Sequence, residues 1–371
     1  MVKILSIGLI ILGLIHGLIH LMGFLAFWPV TAIPNLPYKT TLLAGRLEVG
    51  QVGMRIYSLF WLLAGLGFVG AVLLLALNRP IWAPLMLAAA LLSLLVSVLD
   101  WDQAWRGALV NVFVLLALFV VFGFRTMPAP FPLYRAPTGR VTIQPIPDGL
   151  PEPVERFIRH TYGDGVPVYH SAVITGRGTV RFMGVTMPAR IRFTHIPVKG
   201  YHHYLETTFY GIPIFKVNEH FLDGRTHFEL PFGVQEDEPE LNSAANLGLW
   251  AEIIAYPAVF VTDERVRWEA IDETSARLYI PFGDQEQELV FTFSSDGSSI
   301  ERIETLRFRD VGGKQMRWWG DMGPGSNRYG LSSLQHWEIN WEDETGPWLV
   351  AEVEDILFNA DLEGYIQQKG P

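Results

Sequence analysis

Four stretches of this 371-residue chain, 4–27, 56–77, 81–99 and 108–124, are strongly apolar. Each is close to the roughly 20 residues a helix needs to cross about 30 Å of hydrocarbon. Tryptophans mark their ends: Trp28 follows the first, Trp82 opens the third, and Trp101 and Trp105 lie between the third and fourth. The first stretch follows Lys3 and invites comparison with a signal peptide. It is too long for one, and no small-x-small site precedes Trp28-Pro29. The expectation is an integral membrane protein with four spans over 1–127.

Four crossings return the chain to its starting side, so whatever follows lies on the side of the N-terminus. Lys3, Arg79, Arg125, Arg135 and Arg140 fall on that side, and Lys39, Arg46, Arg55 and Arg106 on the other. That asymmetry leaves the orientation undetermined. Of 38 acidic residues only Glu48, Asp100 and Asp102 precede Met127. The remainder of the chain is therefore acidic and water-soluble, and the net charge is −10. An acidic domain lacks the basic face that phosphate binding needs, which argues against a nucleic-acid partner. There is no cysteine, so disulfide, thiol-nucleophile, iron–sulfur and zinc-thiolate chemistry are absent.

Residues 128–149 carry the prolines of "MPAPFPLYRAPTGRVTIQPIPDG" and predict an extended, semi-rigid linker. The domain at 150–371 opens with a short amphipathic helix near 151–160, "LPEPVERFIRH", with Val154, Phe157 and Ile158 on one face. Strand-like runs follow, from "AVITGRGTVRFM" to "RTHFELPFGV", rich in β-branched and aromatic residues and broken by Gly, Pro and Asp. A helix near 239–256 interrupts them, with Leu247, Trp250 and Ile254 at helical spacing, before strands resume to "WLVAEVEDILF". The predicted fold is multi-domain: a four-helix bundle, then an α+β domain with a large, barrel-like antiparallel sheet and an interposed helix. Strands and helices do not alternate, which argues against a nucleotide-binding α/β fold.

The motifs "HGLIHLMGF" (16–24), "LPEPVERFIRH" (150–160), "YPAVFVTDERVRWEAIDETSARL" (256–278) and "RYGLSSLQHWEINWEDETGPWLVAEVEDILF" (328–358) carry a resemblance. The chain resembles an uncharacterised bacterial membrane-protein family with a four-helix membrane part and a soluble β-rich domain of unknown function. That resemblance implies a fold and no activity. The strand count with an interposed helix is also similar to the half-barrel of lipoprotein-carrier proteins, at the level of fold alone.

His16 and His20 lie four apart inside the first apolar stretch and share one helix face. Ionisable groups inside a membrane normally face the bundle interior and have a partner. Topology offers Asp100, at the end of the third span, and Asn111, one turn inside the fourth. His16, His20, Asp100 and Asn111 therefore form a candidate intramembrane polar cluster. Three readings stay open for it: packing by neutral imidazoles, a polar-headgroup or quinone-like ligand, and a metal or haem, although haem between facing helices is disfavoured because the other three spans contain no histidine.

A second set emerges from strand register. Asp223-Gly224 is a preferred two-residue hairpin loop, pairing His220 with His227. A two-residue loop at Gly211-Ile212 would place His203 opposite His220. His203, His220 and His227 would then form a row on a polar, solvated face. It is a candidate metal or pH-sensing patch, with an apolar face opposite. Adjacent Trp318 and Trp319 are candidates for a cavity mouth, since neighbours on a strand point to opposite faces. No nucleophile elbow, zinc-protease helix, phosphate loop or calcium loop is present, and no motif calls for a cofactor.

The favoured reading is a membrane protein that presents a half-barrel binding an apolar, lipid-like molecule at the membrane surface, and it is not enzymatic. The alternatives are a membrane redox or proton-handling protein using His16, His20 and Asp100, and a scaffold without ligand.

Overall fold

The computed structural model describes residues 2–34, 36–197, 199–323 and 335–371. The chain divides into two compact units, Met1–Gly123 and Phe124–Pro371.

The first unit contains helices α1 (Val2–Phe27), α2 (Gly50–Ala76), α3 (Trp82–Leu99) and α4 (Trp101–Gly123), all long and apolar enough to cross a membrane. A small hairpin, β1 (Thr41–Leu42) with β2 (Leu47–Glu48), lies between α1 and α2. Helices α2 and α4 begin earlier than their apolar runs, and Gln51, Arg55, Asp102 and Arg106 lie in their first two turns. Phe68, Met86, Val114 and Leu118 are buried between the helices. Ile11, Leu66, Leu95 and Phe113 are exposed on their outer sides. The α1–α2 contact is made by two glycines: a methyl group on Gly65 would stand 2.9 Å from the carbonyl oxygen of Gly17. Small residues at such crossings let helix backbones approach closely.

The second unit begins with the proline-rich segment, which does not stand free as a spacer. Phe131 is buried, and the carbonyls of Pro128, Ala129 and Pro132 accept hydrogen bonds from Arg177, Arg190 and Arg192. Strand β3 (Thr142–Pro145) pairs with β4 (Gly165–Val168) across helix α5 (Glu152–Tyr162). Helix α5 has glutamates in its first turn and Arg159 and His160 in its last, matching the helix dipole, and buries Val154, Phe157 and Ile158.

Two meanders then build the main sheet. The first is β5 (Ala172–Phe182), β6 (Val185–Ile196), β7 (Gly200–Phe209), β8 (Ile212–Leu222), β9 (Arg225–Leu230) and β10 (Gly233–Glu236). Helix α6 (Pro239–Glu252), a short 3-10 turn (Ile253–Ala255) and α7 (Val259–Thr262) intervene. The second is β11 (Arg267–Ala270), β12 (Ser275–Phe282), β13 (Gln285–Phe293), β14 (Ile300–Phe308), β15 (Gln315–Gly323), β16 (His336–Trp341) and β17 (Leu349–Phe358). Among the described residues these strands form one 13-stranded antiparallel sheet, with β10 and β11 at its two edges. The meanders join where β17 pairs with β5. Close approach there requires Gly176 and Gly178: a methyl on Gly178 would fall 1.8 Å from the carbonyl oxygen of Val350. The sheet is open, and α6 packs against β7–β9 of one meander and β12–β14 of the other. It therefore curves around the helix, and Leu247, Trp250 and Ile254 are buried in the resulting core with Leu278, Phe291 and Ile303. This is the expected architecture of helical bundle, large antiparallel sheet and interposed helix.

One expected register is corrected. The β8–β9 hairpin turns on Asp223-Gly224, and His220 pairs with His227. The β7–β8 hairpin turns on Tyr210 and Gly211, at φ 52° and 74°, and not on Gly211-Ile212. That turn shifts the register by two residues, and a bulge at Thr207/Thr208 takes one back, so His202 pairs with His220 and His203 with Glu219. Because side chains alternate along a strand, that one-residue slip sends His203 to the opposite face.

Candidate functional site

The inner face of the curved sheet and helix α6 enclose a cavity of about 650 Å³. Most of its wall is apolar, including Phe193, Leu205, Val217, Trp318, Trp337 and Ile339. Six residues of another character also line it: Arg181, His203, Glu219, Gln235, Glu252 and Arg307. Their positions follow from simple alternation. On β6, Ala189, Ile191 and Phe193 point inward, and His195 is next in that series. On β7, Tyr201, His203 and Leu205 point inward. Glu252 ends α6, where the helix meets the sheet.

His195, His203 and Glu252 converge. The Nε2 atoms of His195 and His203 lie 2.9 Å and 2.7 Å from Glu252 Oε2, and 3.3 Å from each other. Each ring has an outer partner. His195 Nδ1 is 3.1 Å from the Tyr256 hydroxyl, and His203 Nδ1 is 3.8 Å from Glu219 Oε2. Tyr201 stacks on the His203 ring with centroids 3.7 Å apart, and Phe193 covers it at 4.1 Å. Burial opposes charge on every member of the group. Burial alone would raise Glu252, but the facing histidines hold it down to about 2, so it is an anion. Burial would lower His203, yet Glu252 and Glu219 raise it. At His195 burial wins and keeps the ring neutral. In this state Glu252 and His203 form a buried ion pair, with His195 as a neutral neighbour.

Arg307 is a further charged group on the wall. Its Nε donates to the carbonyl of Ala244 at 2.9 Å, and its guanidinium lies over Trp318 at 5.1 Å and Trp341 at 5.9 Å. Gly248 makes room for it, since a methyl there would stand 3.1 Å from an Arg307 Nη. Among the described residues no carboxylate forms an ion pair with Arg307, although Glu252 and Glu219 are close enough to act on its charge. A half-buried guanidinium without a direct counterion favours an anion beside it.

The expected row of histidines is made by His202, His220 and His227, with His203 on the cavity side. The row is not a solvated face. The chain after β17 crosses it: His220 Nε2 donates to the carbonyl of Gln368 at 3.0 Å, Gly370 N donates to Asn218 Oδ1 at 3.1 Å, and Lys369 pairs with Glu229. Trp318 lines the cavity, whereas Trp319 is on the other face of β15, with its Nε1 donating to Asp321 at 3.0 Å. The Gly/Pro-rich segment at 324–330 lies outside the described residues.

In the helical unit, His16, His20 and Asn111 come together around Ser93, which the sequence reading missed. Asn111 Nδ2 donates to Ser93 Oγ at 2.7 Å, and His16 Nε2 is 3.1 Å from Asn111 Oδ1. Ser93 Oγ is 2.5 Å from His20 Nε2. One assignment satisfies these contacts: His16 donates to Asn111, Asn111 to Ser93, and Ser93 to His20. Asp100 does not join them; it pairs with Lys39.

Residues 140–353 match the model of DUF6544, a family of unknown function. The chain belongs to this family. No curated protein matches this DUF6544 chain. Two solved structures are similar to it. A LolA superfamily protein from Nitrosomonas europaea shares 13% identity, covers 58% of this chain and 96% of its own, and has a TM-score of 0.35. A putative outer membrane lipoprotein-sorting protein domain from Vibrio parahaemolyticus shares 12% identity, covers 57% and 93%, and has a TM-score of 0.33.

Proposed function

We propose that this DUF6544 member is a multi-pass membrane protein whose β domain binds an amphiphile with an anionic end. The observation that carries the reading is Arg307 on the wall of an apolar cavity, without a carboxylate ion-pair partner among the described residues. The volume of about 650 Å³ falls within the roughly 300–1,000 Å³ usual for small-molecule sites. An alkyl chain against Phe193, Leu205, Val217 and Trp337 would gain roughly 0.8 kcal/mol for each buried methylene. An anionic end would supply the counterion that Arg307 lacks. The exposed apolar sides of α1–α4 support placing that unit in a bilayer, with four crossings leaving the β domain on the side of the N-terminus. The enclosed path through His16, Asn111, Ser93 and His20 is read as packing between helices.

Photo-crosslinking tests this. The full chain in lipid nanodiscs is incubated with a diazirine-bearing fatty acid, irradiated and mapped by mass spectrometry. The expected result is labelling of cavity residues that disappears in Val217→Trp, which fills the space. Labelling confined to α1–α4 in the unaltered chain would refute the proposal.

A further inference from the structure

We infer that His195, His203 and Glu252 form a divalent transition-metal site of the zinc type, with its remaining position open to the cavity. Three donor atoms face one point: two imidazole nitrogens and one carboxylate oxygen, with edges of 2.9, 2.7 and 3.3 Å. Ligands at the 2.0–2.1 Å typical of zinc, set tetrahedrally, stand about 3.3 Å apart, so only slight expansion of the triangle is needed. Two histidines and a carboxylate also form one of the known donor sets of open zinc sites.

The outer contacts support the same reading. Metal-bound imidazoles usually donate their second ring nitrogen to a carboxylate or another oxygen, which fixes tautomer and orientation. Here Tyr256 stands 3.1 Å from His195 Nδ1, and the Glu219 carboxylate is 3.8 Å from His203 Nδ1. The stacked Tyr201 and the covering Phe193 hold the His203 ring in place. Such support is what a preorganised site requires. Both ring nitrogens converge on one carboxylate oxygen, an arrangement in which a single cation can take the place of their protons.

Access is one-sided. His203 and Glu252 border the cavity and His195 lies behind them. The open coordination position therefore faces the cavity that also holds Arg307. An oxygen of the anionic end would complete the metal's coordination while its chain occupied the apolar wall. This last step rests on the amphiphile reading; the metal site does not.

The test uses the full chain in detergent, without a histidine tag, stripped with chelator and titrated with Co²⁺ alone. One Co²⁺ per chain is expected, with the intense visible absorption of a four-coordinate ion, lost on adding Zn²⁺. X-ray absorption of the Zn²⁺ form should count two imidazoles. His203→Gln and Glu252→Gln should weaken binding at least 100-fold, and His227→Gln should leave it unchanged. Failure of the unaltered chain to bind one equivalent, or full binding by both cavity variants, overturns the proposal. Should those variants fail to fold, the unaltered chain's stoichiometry and imidazole count decide it. Because no amphiphile is present, crosslinking in the cavity without metal uptake would defeat this inference and leave the binding function standing.

Discussion

The imidazole rings of His202 and His220 lie face to face, 4.3 Å between centroids and 6° between planes, beneath the C-terminal segment. His220 holds Gln368 in that arrangement, and His227, Glu229, Lys369 and Arg192 surround the pair. Burial lowers the His220 pKa below 6.5; its bond to Gln368 and the charge of Glu229 oppose this, and His227 and His203 add to it. Between 6.5 and the lowered folded value the unfolded chain binds more protons, so stability falls as pH falls. Acidification from about pH 7.5 to about pH 5 should therefore loosen the segment around Gln368. Hydrogen exchange at its amides should speed up on acidification in the unaltered chain and respond less in His220→Gln. Equal responses would count against this coupling.

Ser93 holds three partners at once inside the helical unit. Ser93→Ala leaves His20 Nε2 without a donor and Asn111 Nδ2 without an acceptor. The expected cost is about 1–2 kcal/mol, since orphaned polar groups cost more than one exchanged bond. Thermal unfolding in detergent should show a lowered midpoint, while an unchanged midpoint would mean that the side chains find new partners.

At the junction of the two meanders, Gly178→Ala forces a methyl against the Val350 carbonyl. The loss should be about 3 kcal/mol, the upper end for overpacking. Gly364→Ala meets no atom within 4 Å and serves as the comparison. Similar melting of the two variants would show that β5 and β17 can separate freely at this point.

Arg307→Met keeps the aliphatic stem against Trp318 and removes the charge. If Arg307 meets an anionic end, affinity for a fatty acid should drop about tenfold or more, and affinity for the matching alcohol should change little. Competition against the crosslinking probe measures both. Parallel losses for acid and alcohol would assign Arg307 to packing alone.

Much of this fold is legible because its signals are local. Apolar length marks α1–α4, helical spacing of Leu247, Trp250 and Ile254 marks the α6 region, and Asp223-Gly224 sets the β8–β9 register. The turn at Tyr210 is not legible in this way, because a bulky residue at positive φ is uncommon and tertiary context selects it. A bulge leaves no mark in composition, yet it decides which histidine faces the cavity. The convergence of His195, His203 and Glu252 joins two strands and a helix end without motif spacing. One local sign was available: His195 continues the inward series Ala189, Ile191, Phe193, where an ionisable ring demands a buried partner. The membrane cluster is legible only in part, because Ser93 looks like any small residue in an apolar helix until its neighbours are placed.

The pairing of β5 with β17 has a consequence for synthesis. Arg177 and Glu354, paired across this seam, are 177 residues apart in sequence. On the ribosome the first meander leaves the exit tunnel with its β5 edge bare, and its partner strand follows only after the rest of the second meander. Exposed strand edges invite pairing with other chains. Nascent DUF6544 chains stalled before β17 should therefore engage holding chaperones on the β5 edge, and release should coincide with emergence of β17.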